Sequence, residues 1–366
     1  MVARPSGDVS GPASPIAPDE LDLPTGSLRL VGRNWPSFMG VSRVLTVRRR
    51  AEAEGVSRET LSLLEGHSVR PSTRSAYDRY WSKFVCYVGS LVSLPPSLGV
   101  AVANFLTKVC NSENISSAAT LGPIRSAICT TLKMVTGEDV SQSPWVHAVM
   151  QAAANLKPAR PRYDSHWDLE LLLEYWESQP PNTALPLSDL LDKCLSLLMA
   201  AGIMRSSDLH RIAPETIQFT RSSVSFRLLN PKNAKGLSQP VVINSVDGRP
   251  NVCPVRCVKA YMAALAPLRS STEQKKKVWL GSRRPHIPIL PKTIASRVLR
   301  TLDAAGVDTK LFKAHSVRLT AVSRAVEQGA ALQEVMQHGR WRSEKVFLAF
   351  YERSVRTGAV SSAIMS

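Results

Sequence analysis

The chain has 366 residues, 44% of them apolar, and 46 Lys and Arg against 29 Asp and Glu give it a formal charge of +17. That is material for two domains, or one large domain and a tail, and the charge suits a nucleic acid, which releases condensed counterions on binding, ahead of a merely basic soluble protein. No run approaches the ~20 apolar residues of a membrane span, and no basic-then-apolar leader opens the chain, so neither a membrane nor secretion is expected.

Residues 1–56 are rich in Pro, Gly and Ser without periodicity, which predicts a disordered N-terminal tail. Arg48-Arg49-Arg50 near its end reads as a solvated charge run, with an import or DNA-backbone patch as the alternative. Residues 57–157 then become helical. Tyr77, Tyr80, Trp81, Phe84 and Val88 fall at three- and four-residue steps, and Leu98 to Val109, Ala118 to Val135 and Trp145 to Leu156 follow between Pro- and Gly-containing breaks. Four such helices make a bundle. Arg70, Arg74, Arg79, Lys83, Lys108, Arg125 and Lys133 decorate it, as a face for DNA or as ordinary solvated charge.

Lys157 to Arg162 is a basic, proline-broken linker, in which Arg160 and Arg162 are further candidates for DNA contact. Residues 158–366 form a second expected domain. Trp167 to Trp176 and the very apolar Leu187 to Met204 are predicted helices. Short strands at Ser223 to Leu229 and Pro240 to Ile243 are joined through Lys232, Lys235 and Gly236. Helices are expected again at Val258 to Leu265, Lys292 to Ala305, Ser316 to Glu327, Ala331 to Gln337 and Ser343 to Ser354. The fold class is mainly α with a small β-sheet in the second domain. Six cysteines scattered through apolar contexts read as reduced, buried thiols of an intracellular protein, nuclear in a eukaryote and cytoplasmic otherwise. Cys253 and Cys257 lack the second ligand pair of a zinc site, so no metal is expected.

The residues that carry chemistry lie in three short segments of the second domain. Arg205 leaves the end of an apolar helix with Asp208 three residues on, close enough to hold it in place. His315 and Arg318 share a helical face, so an imidazole and a guanidinium can approach one phosphate. Trp341 sits in Gly339-Arg340-Trp341-Arg342-Ser343, and Tyr351 follows ten residues later beside Val346, Phe347 and Phe350. Each segment alone has a structural explanation: an ion pair, a helix surface, a core tyrosine. Together they suit a phosphate gripped by two arginines while a tyrosine hydroxyl attacks it.

The order Arg205, Lys232, His315-x-x-Arg318, Trp341, Tyr351 resembles the tyrosine recombinase (phage integrase) family. The resemblance spans a core-binding domain and a catalytic domain. The Gly-Arg-Trp-Arg-Ser-x-x-x-Phe-x-x-x-Tyr form is most similar to recombinases of eukaryotic mobile elements, the Crypton and tyrosine-recombinase retrotransposon groups. It implies that Tyr351 is the nucleophile, Arg205 and Arg318 bind the phosphate, and His315 and Trp341 assist. It also implies a lysine that protonates the leaving oxygen, best assigned to Lys232 with Lys235 as fallback, and His338 rivals Trp341. The implied activity is site-specific cleavage and rejoining of double-stranded DNA through a 3′-phosphotyrosyl link. The implied enzyme is a homotetramer on DNA that uses no cofactor, ATP or metal. A catalytically silent DNA-binding descendant and a type IB topoisomerase-like enzyme are the alternatives.

Overall fold

The computed structural model describes residues 40–112, 115–159, 162–232 and 235–350, excepting the side chains of 349 and 350. The chain divides into two compact units, residues 1–160 and 161–366.

The regular elements of the first unit among its described residues are all helices: α1 Arg43–Ala53, α2 Arg58–His67, α3 Pro71–Gly89, α4 Leu98–Cys110, α5 Leu121–Thr136 and α6 Pro144–Leu156. The aromatic stripe of α3 is the reason it packs. Trp81 and Phe84 are fully buried with Leu106 of α4 and Leu121, Ile128 and Leu132 of α5. Phe84 meets Phe105 edge-on at 5.5 Å, a geometry the ring quadrupoles favour.

Two expectations fail here. Residues 40–56 are not a tail: α1 is folded against α5 and α3. Its anchors are polar, which is why apolar periodicity does not reveal it. The Ser42 side chain caps its start, buried Thr46 donates to the Ser42 carbonyl at 2.8 Å, and Arg43 Nε donates to Thr131 Oγ1 at 2.7 Å. Trp81 Nε1 donates to the Gly40 carbonyl at 3.0 Å. The basic run pairs in part with acids of its own unit, Arg48 bidentately with Glu65 and Arg50 with Glu54. Nor are all six thiols buried, since Cys86 lies on the exposed side of α3.

The second unit contains α7 Leu169–Glu177, α8 Leu187–Ala201 and α9 Ser206–Leu209, then β1 Gln218–Phe219, β2 Ser223–Phe226 and β3 Val241–Asn244. These are followed by α10 Pro254–Leu265, α11 Thr272–Lys275, α12 Pro291–Ala304, α13 Ser316–Glu327, α14 Leu332–His338 and α15 Glu344–Phe350. Helix α8 is buried on every side from Leu190 to Ala200 and is central, with α10, α12 and α13 packed around it. Its one buried acid, Asp192, pairs with Arg297 and Arg300 of α12. Trp176 Nε1 donates to Ser196 Oγ at 2.9 Å, and Trp279 Nε1 to the Leu209 carbonyl at 2.9 Å. The three strands form an antiparallel sheet in the order β1-β2-β3, with Val224 opposite Ile243.

Helix α8 stops at Ala201 rather than Met204. Gly202 closes it, and Ile203 turns into the left-handed region at φ 45° while Met204 N–H donates to the Met199 carbonyl at 3.0 Å. That turn lifts Arg205 off the helix axis and places it ahead of α9.

Candidate active site

Arg205 and Asp208 lie at the two ends of the turn that becomes α9. Asp208 is 1% exposed, and its Oδ2 accepts the backbone N–H of Arg205 at 3.1 Å and lies 3.5 Å from Arg205 Nη1. The carboxylate thus fixes both the main chain and the guanidinium of Arg205. Beyond them opens a cleft of about 480 Å³, lined by Arg205, Asp208, Lys232, His338, Arg340, Trp341 and Arg342. Lys232, which lines it, is exposed, and Lys235 further along the chain is exposed as well.

Arg318 emerges from the first turn of α13 and is 0% exposed. Its Nη1 donates to the Ile203 carbonyl and its Nη2 to the Gly339 carbonyl. The guanidinium carbon lies 3.7 Å from the centroid of the Trp341 ring, a stacked cation–π contact. The indole also meets Phe347 of α15, edge-on at 5.0 Å. Gly339 has to be glycine for this to happen, because a Cβ there would sit 1.7 Å from Trp341 Cζ3. The second expected arginine is therefore at the site but beneath the tryptophan, where solvent does not reach it.

His315 is the residue that immediately precedes α13. Burial first, and then the positive charge of Arg318, Arg205, Arg162 and Lys232, pushes its pKa down from 6.5 to about 4. The imidazole is neutral at pH 7. Four of the charges acting on one ring are residues singled out from the sequence, which ties Arg205, Lys232, His315 and Arg318 to one locality. His315 also borders a smaller pocket with Arg162, Lys292 and Lys313. Tyr351 and Arg160 lie outside the described residues.

The end of α8 explains how these segments are joined. His338 Nε2 bonds the Ala201 carbonyl at 2.8 Å, Arg340 Nη2 donates to that of Gly202 at 3.2 Å, and Arg318 to that of Ile203. Three consecutive carbonyls left over at a helix C-terminus are each met by a basic side chain. His338 is thereby held on the scaffold, whereas Trp341 stands over Arg318. Arg340 is the site residue to which the sequence assigned no role. Its only signal is its place between Gly339 and Trp341.

The candidate DNA contacts of the first unit have varied surroundings. Lys133 is paired with Asp139 at 2.7 Å, and Arg125 donates to the Ser141 carbonyl at 3.1 Å. Arg70 and Arg74 stand at the start of α3, while exposed Lys83 lines a separate cleft with Lys108. In the second unit, Arg162 is exposed, 5.6 Å from the Tyr163 ring centroid.

No family model matches the chain. In sequence it is 27% identical over 168 residues to an integrase/recombinase XerD homolog of Selenomonas ruminantium, a match spanning 46% of this chain and about half, 48%, of that protein. In structure it is similar to the XerH site-specific recombinase bound to a palindromic difH substrate, with TM-score 0.60 and 14% identity over 88% of this chain and 89% of that one. The integrase of the Tn1549 transposon in complex with transposon right-end DNA gives 0.57 and 11% over 88% and 99%. A lambda integrase bound to a core site gives 0.52 and 13% over 81% and 93%. Mostly helical among the described residues, with one small three-stranded sheet in the second unit, the chain has the tyrosine recombinase fold.

Proposed function

We propose that this protein is a site-specific DNA recombinase that cuts and rejoins strands through a tyrosine–phosphate link. One observation supports this above all: Arg205, Lys232 and Trp341 line one cleft, with Arg318 directly under Trp341 and the charges of both arginines acting on His315. A phenol has an unperturbed pKa near ~10, so Tyr351 needs both a proton acceptor and a charge-neutralised phosphate to attack at neutral pH. Neutral His315 can accept the proton. Arg205 and Arg318 would stabilise the charge that builds on the non-bridging oxygens, each worth on the order of 3 kcal/mol by analogy with a single oxyanion donor.

The Tyr351 oxygen bonds to phosphorus and the bond to the 5′ oxygen breaks, with Lys232 giving that oxygen a proton. The link retains the energy of the phosphodiester, so a 5′ hydroxyl of another strand reverses the step without ATP. Arg318 reaches the phosphate once the indole turns aside, and the indole N–H is then a further donor. The basic residues Arg70, Arg74, Lys83, Arg125, Lys133, Arg160 and Arg162 would grip the backbone, and strand exchange would engage four copies of the chain on two duplexes. The wider likeness of the Gly339–Tyr351 segment suits the recombinase of a mobile element.

The burial of Arg318 favours a second reading, a DNA-binding descendant that no longer cleaves. One experiment separates the two. The protein is incubated with a pool of nicked random-sequence duplexes, and covalent adducts are counted on a denaturing gel. Adducts from the parent and none from Tyr351→Phe are expected. A parent that binds the pool but forms no adduct establishes the silent reading, and adducts retained by Tyr351→Phe refute the nucleophile.

A further inference from the structure

Arg340 combines three features. Its backbone is left-handed, with φ 60°, a conformation that costs an L side chain free energy and that glycine or asparagine adopts more readily. Its guanidinium bridges two segments, donating from Nη1 to the His338 carbonyl at 2.9 Å and from Nη2 to the Gly202 carbonyl at 3.2 Å. The same Nη2 lies 3.8 Å from Asp208 Oδ2, the carboxylate oxygen that Arg205 approaches at 3.5 Å. A single buried negative charge is thus shared by two arginines from segments more than a hundred residues apart.

The sharing has a consequence for Arg205. An unshared carboxylate three residues away would draw the guanidinium into a tight two-pronged pair, with its nitrogens at the ordinary ~2.7–2.9 Å. That pair would turn the donors of Arg205 away from the cleft. A competing positive charge at the same carboxylate oxygen holds the pair at its looser distance. The contact to Gly202 O meanwhile ties the Trp341 loop to the turn that carries Arg205. A residue kept in a strained conformation at a site of this kind has a function that outweighs the strain.

We infer that Arg340 is a positioning residue for the reaction, holding Arg205 in register through Asp208 while fastening the Trp341 loop to the end of α8. This rests on the recombinase reading above. Arg340 need not touch the phosphate.

The test uses the full chain and the same pool of nicked random-sequence duplexes. Adduct formation and melting temperature are measured for Arg340→Gly, which accepts the backbone conformation, Arg340→Lys, Asp208→Asn and the Arg340→Gly/Asp208→Asn pair. Arg340→Gly should form adducts about 10–100-fold more slowly, as removal of an outer-shell partner typically does, while melting within a few degrees of the parent. Arg340→Lys should recover part of the rate, since it keeps the charge without the two-pronged reach. The pair should be no slower than Asp208→Asn alone, because both changes remove one interaction.

An Arg340→Gly protein that cleaves at the parental rate overturns the inference. So do losses that multiply in the pair, which would make Arg340 an independent contact. If Arg340→Gly melts far below the parent, Arg340→Lys decides: parental stability with reduced cleavage supports positioning, and parental cleavage rejects it. A parent that forms no adducts fails the recombinase reading itself, a result visible before any Arg340 variant is compared.

Discussion

Lys193 offers the sharpest test of the folded core. It lies on α8 with its side chain 0% exposed, and its Nζ has no hydrogen-bond partner among the described residues. What it has is the face of Trp176, 5.7 Å from Nζ to the ring centroid. Burial lowers its pKa below the ordinary lysine value. A buried ammonium costs several kcal/mol in lost hydration, and a desolvated cation–π contact returns about 2 kcal/mol of that. Lys193→Met keeps the length and the apolar stem, so it should stabilise the second unit by about 1–3 kcal/mol. For a domain of this size each kcal/mol moves Tm by about 2–4 °C, so the expected rise is about 2–12 °C.

The pH dependence gives the refuting result. With a depressed pKa in the fold, the unfolded chain binds the extra proton over the interval between the folded and unfolded values. Parental stability therefore rises with pH through that interval, and the lysine's cost is fully present below it. The advantage of Lys193→Met should be greatest at neutral pH and shrink toward pH 10, as the parent sheds its proton. Calorimetry across that range checks this. A lower Tm for the variant, or a difference that does not change with pH, would mean that the ammonium is satisfied and the reasoning wrong.

Gly339→Ala should force the indole off Arg318, since its Cβ would fall 1.7 Å from Trp341 Cζ3. A cost of about 1–3 kcal/mol from overpacking is expected in urea melts, with altered emission from Trp341. For His315 the folded pKa of about 4 lies below the ordinary 6.5, so the unfolded chain binds more protons between those values and stability falls as pH drops from 6.5 toward 4. His315→Asn removes that dependence. The parent should lose up to about 3 kcal/mol more than the variant between pH 7 and pH 4, followed by denaturant titration at each pH. The Tyr351→Phe adduct assay and the Arg340 variants complete the set.

Most of the fold is legible wherever one face of a helix is apolar. The Tyr77–Val88 stripe lies within α3, and Ser316–Glu327 is α13 to the residue. Helix α8 is legible from its strongly apolar composition, though not its last turn, because a left-handed Ile203 leaves no trace in periodicity. Helix α1 is hidden because hydroxyls and ion pairs hold it, and β1 because two exposed residues make no pattern. At the site, residue types and their order single out Arg205, Asp208, His315, Arg318 and Trp341. The order does not disclose that Trp341 lies over Arg318. It is equally silent on Arg340, whose contacts join Gly202 and Asp208 to a loop far along the chain.

The indole lying over Arg318 bears on what the resting protein ignores. Inorganic phosphate or sulfate arriving alone finds that guanidinium out of solvent. Such small ions carry no remote binding free energy with which to displace a stacked ring. A duplex held along many phosphates does. On the proposed reading the cover would therefore discriminate by size, keeping small anions from Arg318 and admitting a phosphate only as part of a polymer.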